Sequence, residues 1–356
     1  NEDSECERVV NEIIDMRLKR RCKYSNFAIL YRGNYQAKLV EIKLQAQNIP
    51  YEITGGQSFY AKTEIKDVMA YLRLLVNPDD DNALLRIINT PRRQIGPTTL
   101  EKLGGYANKR GLSLYDTIDE VGLSASMPTN NLQRLKDFKR WIEQARKNVY
   151  EGNSIAAINE MLSDADYLGW LHQNASSDHV AQKRWDNVNF LLAQLTQVLK
   201  NDQTDTSDID GDSAIENAIA KLILRDILDR EEEESADDKV QLLTLHAAKG
   251  LEFLHVFMIG MEEDILPHRN SVEGGQIEEE RRLAYVGITR AQRTLTMTSA
   301  RQRTQFGETS ATTPSRFVDE LPEDDLIKIG GNTETDAAEN QAKGEESLAA
   351  LKSLFG

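Results

Sequence analysis

Between Val240 and Gln292, polar side chains stand at the ends of otherwise apolar runs. Thr244, His246, Lys249 and Glu252 fall within VQLLTLHAAKGLEF, and Arg290 closes the pattern EEERRLAYVGITRAQ. An arginine is always charged and presents a planar fork matched to phosphate oxygens, so Arg290 suits the reading of a terminal phosphate. The carboxylate of Glu252 can accept a hydrogen bond from a ribose hydroxyl. A hydroxyl, an imidazole and an ammonium in one loop suit contacts to phosphate and sugar. Plainer readings stand beside these. Arg290 can pair with Glu279 or Glu280 at the surface, Glu252 can cap a helix or form an ion pair, and His246 can be a satisfied structural histidine. His255 and His268 keep the structural reading, and the five histidines show no metal-binding spacing. Arg281 and Arg282 read as ion-pair residues.

Two other segments carry suitable chemistry. In YRGNYQ, Arg32 and Asn34 can bond phosphates, and Tyr31 either offers a ring to a base or packs in the core. In NTPRRQIGPTT, Gly96 and Pro97 open a helix, so backbone amides cluster with the hydroxyls of Thr98 and Thr99. That is an anion-binding geometry, with Arg92 and Arg93 beside it, or else an ordinary helix start.

The elements that must hold these residues follow from periodicity. FAIL (27–30), YEIT, VQLLTL, HVFMIG and TLTMTS read as short strands, and Glu5 to Lys19 and Tyr35 to Gln47 as helices. Strand–helix–strand order implies a parallel sheet covered by helices. Gly55 and Gly56 offer a pivot. Helical patterns then dominate from Phe59 to about Arg230. The simplest organisation is one α/β domain (1–57 and 231–322) split by a helical insertion (58–230), with an acidic tail (323–356). Leu283, Val286, Gly287 and Arg290 share a helical face, and a glycine that disfavours a helix by about 1 kcal/mol there implies close packing.

Composition sets outer bounds. A chain of 356 residues suits two or more domains. The net charge of −15 argues against nucleic-acid binding by the whole chain. The acid is concentrated, however, at Asp202 to Asp212, Glu231 to Glu234 and beyond Pro322, while Arg17 to Lys23 and Arg92–Arg93 form basic clusters. No apolar run approaches the roughly 20 residues of a membrane span, and no signal sequence is recognisable. Cys6 and Cys22 cannot build a disulfide framework or a four-cysteine zinc site, which suits a reducing cytoplasm. Asn1 is not a methionine, so a piece of a longer protein is expected. No GxxxxGK[ST] phosphate loop occurs anywhere.

The Val240–Gln292 block closely resembles motifs V and VI of superfamily 1A DNA helicases, the Rep/UvrD/PcrA group and its Rep branch above all. The resemblance runs to about Leu321. It implies a RecA-like (P-loop NTPase-like) α/β sheet domain interrupted by an inserted all-α domain. The activity implied is that of the C-terminal half of an ATP-dependent 3′–5′ helicase, which translocates on single-stranded DNA and unwinds duplexes in replication or repair. By the same resemblance Arg290 is the motif VI arginine finger, reaching ATP and Mg2+ held by an N-terminal RecA-like domain of the same protein. Such a finger can contribute roughly 10³–10⁵ in rate, and the chain alone is expected to be inactive. Glu252 would contact the nucleotide sugar. Thr244, His246 and Lys249 would touch single-stranded DNA, as would Tyr31, Arg32 and Asn34 of motif IVa, where Lys38 replaces a frequent arginine. NTPRRQIGPTT is similar to the loop that grips duplex DNA, assigning Arg92, Arg93, Ile95, Gly96, Thr98 and Thr99 to a junction, with Gln94 in place of its first glycine. The implied setting is the bacterial cytoplasm at the nucleoid. The closing ESLAALKSLFG, with Leu348, Leu351, Leu354 and Phe355 at helical spacing, reads as a disordered or self-packed end, or as a helix that docks on a replisome protein. A helicase–nuclease subunit and a non-catalytic DNA- or partner-binding module are the alternatives.

Overall fold

Five short runs of aliphatic and aromatic residues build the sheet. The structure is a computed structural model and describes residues 1–205, 214–224, 238–305 and 308–329. Strands β1 (Phe27–Tyr31), β2 (Tyr51–Thr54), β3 (Val240–Thr244), β4 (Phe253–Met258) and β5 (Ala291–Met297) pair in parallel in the order β2-β3-β1-β4-β5. Every residue of central β1 is buried, as expected for a parallel strand covered on both faces. Successive side chains point to opposite faces. Phe27, Ile29 and Tyr31 pack against α1 (Glu2–Arg20) and α2 (Ala37–Ala46). Ala28 and Leu30 pack with Met258 against α13 (Ile277–Ile288) and Phe317 of α14 (Arg316–Asp319). Gly287 lies at this contact. A Cβ there would stand 2.5 Å from Leu245 Cδ2 and 2.9 Å from Met258 Cε, so the helix approaches the sheet more closely than any side chain allows.

Between β2 and β3 the chain runs through α3 (Thr63–Val76), α4 (Asp81–Ile87), α5 (Pro97–Arg110), α6 (Leu114–Thr117), α7 (Thr129–Glu151), α8 (Ser154–Asp164), α9 (Tyr167–Gln173), α10 (Asp178–Asp205) and a helix at 214–224, α11. These helices share one apolar core, from Phe59 to Leu222, separate from the two cores that flank the sheet. Gly55, with φ +80°, turns the chain out of β2 in a conformation that favours glycine. A polar junction joins the two bodies. Glu41 of α2 accepts from the Phe59 amide at 2.8 Å, Lys38 Nζ donates to Asn187 Oδ1 at 3.2 Å, and Asn187 Nδ2 donates to Glu64 at 2.8 Å. The Lys38 ammonium also lies 4.2 Å from the Phe190 ring centre. Burial, reinforced by neighbouring Lys62, pushes its pKa down to about 8.

An antiparallel hairpin of β6 (Gln302–Gln305) and β7 (Glu308–Ala311) follows the sheet. Its strands are polar and show no apolar alternation, so periodicity is silent. Charge anchors it instead. Arg303 Nε donates to Glu262 at 2.6 Å and its Nη2 to Glu5 at 2.5 Å, all three residues being buried. His255 is the satisfied core histidine expected, stacked on Phe27 and hydrogen-bonded to Thr294 at 2.8 Å. His268 caps α12 (Arg269–Glu273) through Nδ1. Cys6 and Cys22 are both free. The acidic run Glu231 to Glu234, most of Asp202 to Asp212 and the helix expected at the C-terminus lie outside the described residues.

Candidate nucleotide-responding and nucleic-acid surfaces

Arg290 follows α13 directly, after the C-cap residue Thr289, and leads into β5. Among the described residues its guanidinium is held by neutral acceptors only. Nε donates to the Val286 carbonyl at 2.9 Å, Nη1 to the Leu251 carbonyl at 2.7 Å and Nη2 to Thr289 Oγ1 at 3.0 Å. The surface pairing with Glu279 or Glu280 does not occur, because Glu279 faces Arg282 and Glu280 faces Arg32. Arg281 forms ion pairs with Glu278 and Glu320. Arg290 is therefore paired with no carboxylate among the described residues. Of its five N–H donors, one on each terminal nitrogen remains for an anion.

Glu252 is brought beside it by the sheet. The Phe253 amide donates to the Arg290 carbonyl at 2.9 Å, and Glu252 Oε2 accepts from Gln292 Nε2 at 3.0 Å. Glu252 is exposed and forms no ion pair among the described residues. Both residues precede their strands, so they lie at the N-terminal edge of the sheet. Thr244 ends β3 and His246 follows it, so both lie at the opposite edge, about 17 Å away for a five-residue strand. The loop 245–252 runs between the two edges. Thr244 Oγ1 stabilises its first turn by accepting from the Ala247 amide at 3.2 Å. His246 and Lys249 are exposed, with no side-chain hydrogen bond among the described residues.

The YRGNYQ segment holds two corrections. Tyr31 is 0% exposed, and its hydroxyl has no hydrogen-bond partner among the described residues. Burial, with Glu41 nearby, pushes its pKa up. Its ring faces α1 and α2, so it cannot stack on a base. Arg32 is not a free phosphate ligand either. Its Nε and Nη2 grip Glu280 of α13 at 3.0 and 2.8 Å. Burial alone would raise the Glu280 pKa, but bonds from Arg32, the His268 amide and Ser271 outweigh it and hold the carboxyl below its usual range. Asn34 remains exposed and donates weakly to the Gly55 carbonyl at 3.4 Å. Sequence reasoning missed what shapes this loop: buried Gln36 accepts from the amides of Arg32 and Gly33 at 3.1 and 2.9 Å.

The insertion loop is corrected similarly. Arg93 points inward, donating to the Ile87 carbonyl at 2.9 Å and Tyr71 Oη at 2.9 Å, with the Trp141 ring centre 4.9 Å away. Ile95 is buried in the helical core, and buried Thr99 accepts from Asn131 at 2.9 Å. These three residues build the loop and do not face a ligand. Proline at the first position of α5 and a Thr99 amide bonded to the Gly96 carbonyl reduce the free amides at the helix start. Arg92 and Thr98 are exposed and Gly96 half-buried. Arg92 lies 5.9 Å from the Trp170 ring centre. Gln94, standing where the resemblance expects glycine, has φ +58°, and Arg134 donates to its side chain at 2.7 Å.

Comparison with known proteins gives a consistent result. The model of a family described as UvrD-like helicase C-terminal domain matches residues 1–302. The ATP-dependent DNA helicase Rep of Escherichia coli (strain K12) is 44% identical over 355 residues, covering 100% of this chain and 52% of the relative. The ATP-dependent DNA helicase PcrA of Bacillus subtilis (strain 168) is 40% identical over 343 residues, covering 95% of this chain and 45% of the relative. The chain spans about half the length of the curated relatives it matches.

Proposed function

The chain belongs to the UvrD-like helicase C-terminal domain family, and from that premise we propose that it is the responding half of an ATP-driven DNA motor. In this reading residues 1–57 and 231–322 form the second RecA-like domain, 58–230 an inserted helical domain and 323–356 a tail. ATP and Mg2+ are held mainly by a second half, the nucleotide-bearing N-terminal domain of the same protein. Arg290 closes on the terminal phosphate, and Glu252 accepts from the ribose. The observation that carries the reading is the Arg290 guanidinium, pre-oriented by three neutral acceptors with no carboxylate among the described residues to neutralise it. Preorganised charge of this kind stabilises the charge that develops in phosphoryl transfer.

The DNA surface is narrower than the sequence implied. Asn34, Thr244 and His246 serve single-stranded DNA at the C-terminal edge of the sheet, and Lys249 serves it from the loop that leaves this edge. Arg92, Thr98 and the Gly96 backbone serve a duplex junction. Closing and reopening of the two halves would move the strand past the first set. The setting proposed is the bacterial cytoplasm, at nucleoid DNA in replication or repair. The tail would carry a docking helix for a replisome component.

Strand displacement by the full-length protein tests this reading. It should separate a duplex with a 3′ single-stranded tail when ATP and Mg2+ are present, and fail on one with only a 5′ tail. No displacement on either substrate, with ATP turnover intact, would leave a DNA-binding ATPase and contradict the helicase reading.

A further inference from the structure

Thr289 is absent from the residues that sequence alone assigns to chemistry, yet its hydroxyl stands at the centre of the Arg290 arrangement. Oγ1 lies 3.0 Å from the Tyr285 carbonyl and 3.0 Å from the Val286 carbonyl, and it accepts from Arg290 Nη2 at 3.0 Å. A hydroxyl has one proton to donate and lone pairs to accept with. Donating into the last turn of α13 turns its lone pairs outward to the guanidinium. The Val286 carbonyl receives Arg290 Nε as well, at 2.9 Å. The guanidinium is thus tied to the helix end through two of its three nitrogens, one of them by way of Thr289.

We propose that Thr289 is a positioning residue for Arg290, its hydroxyl fixing the plane of the guanidinium so that the free N–H groups meet the transferring phosphate. This rests on the reading of Arg290 given above. Valine is nearly isosteric with threonine but offers no acceptor. In Thr289→Val, Nη2 loses its partner, the guanidinium keeps only the Val286 and Leu251 carbonyls through Nε and Nη1, and its plane can tilt about the Cδ–Nε bond. Nucleotide binding, held mainly by the other half of the protein, does not depend on that plane. Turnover does, since a misplacement of about 1 Å in a reacting group can lower rate by roughly 10²-fold.

The test is steady-state ATP turnover by the full-length protein at saturating single-stranded DNA, in the wild type, Thr289→Val, Thr289→Ala, Thr289→Ser, Arg290→Ala and the Thr289→Val/Arg290→Ala double variant. Thr289→Val and Thr289→Ala should each lower kcat by about 10–100-fold, with KM for ATP little changed. Thr289→Ser, which keeps the hydroxyl, should restore most of the turnover. The double variant should be no slower than Arg290→Ala alone, because the two side chains act as one unit. Loss in Thr289→Ser equal to that in Thr289→Val would assign the effect to the methyl group and overturn the proposal. So would wild-type kcat in Thr289→Val beside a crippled Arg290→Ala, or a change confined to KM. Wild-type turnover in Arg290→Ala would instead overturn the finger reading itself.

Discussion

At the scale of single residues, the arginines divide by what faces them. Arg32, Arg281, Arg282 and Arg303 are neutralised by carboxylates, whereas among the described residues Arg290 meets only carbonyls and a hydroxyl. Residue type was legible in the sequence, but this division was not. Arg32 and Glu280 are 248 positions apart, and no local pattern announces their pairing. The division gives opposite expectations for residues that looked alike. Arg32→Ala leaves buried Glu280 without its counter-ion and should destabilise the protein by about 2–3 kcal/mol, below the 3–5 of a fully buried pair because Arg32 is partly exposed. Chemical denaturation of the wild type and the variant measures it, and an unchanged midpoint would contradict the pairing. Arg92→Ala should leave stability alone and weaken binding to a duplex junction, lowering the salt slope by about 1. Arg93→Ala should do the reverse, because its guanidinium supports the loop from within. A junction-binding titration against salt, run beside a thermal melt, separates the two.

At the scale of elements, α13 links the core to both candidate surfaces. Its N-terminal turn holds Glu280 for Arg32, its middle presses Gly287 on Leu245 and Met258, and its end carries Thr289 and Arg290. The close approach at Gly287 was legible, since a glycine inside a helix needs a reason. Gly287→Val should therefore destabilise by about 1–3 kcal/mol through overpacking, against the gain of several tenths that helix propensity alone would give. A stabilised variant would show that α13 stands further from the sheet. The junction between α2 and the insertion makes a pH prediction. The Lys38 pKa in the folded protein, about 8, lies below its ordinary value of 10.5. Between these values the unfolded chain binds more protons than the folded one, so the penalty for burying the ammonium is complete below the lower value and fades as pH rises. The melting temperature of the wild type relative to Lys38→Met should rise across that window. A difference independent of pH would mean that Lys38 titrates normally. Periodicity located α2 and the insertion helices, but it could not show that Lys38 joins them, because its partners come from α10.

At the scale of the whole molecule, the sequence displayed five apolar runs, a long helical interval between the second and third, and a cluster of polar residues after them. Those features suffice for a parallel α/β sheet with a helical insertion. Strand order was not legible, because β3 enters between β2 and β1 only after the insertion has run its course. Nor was it visible that Arg290 and Glu252, both preceding their strands, and the loop leaving β3 occupy opposite edges of one sheet. Under the proposed function, that separation would let this chain transmit between nucleotide and DNA, with a second half holding the nucleotide. The most direct test is ATP turnover with single-stranded DNA present, measured on the isolated chain, the full-length protein and full-length Arg290→Ala, with nucleotide binding followed in parallel. The account predicts no turnover by the isolated chain, DNA-stimulated turnover by the full-length protein, and a loss of roughly 10³-fold or more in Arg290→Ala with ATP binding retained. Robust turnover by the isolated chain, or near-wild-type turnover by Arg290→Ala, would contradict it.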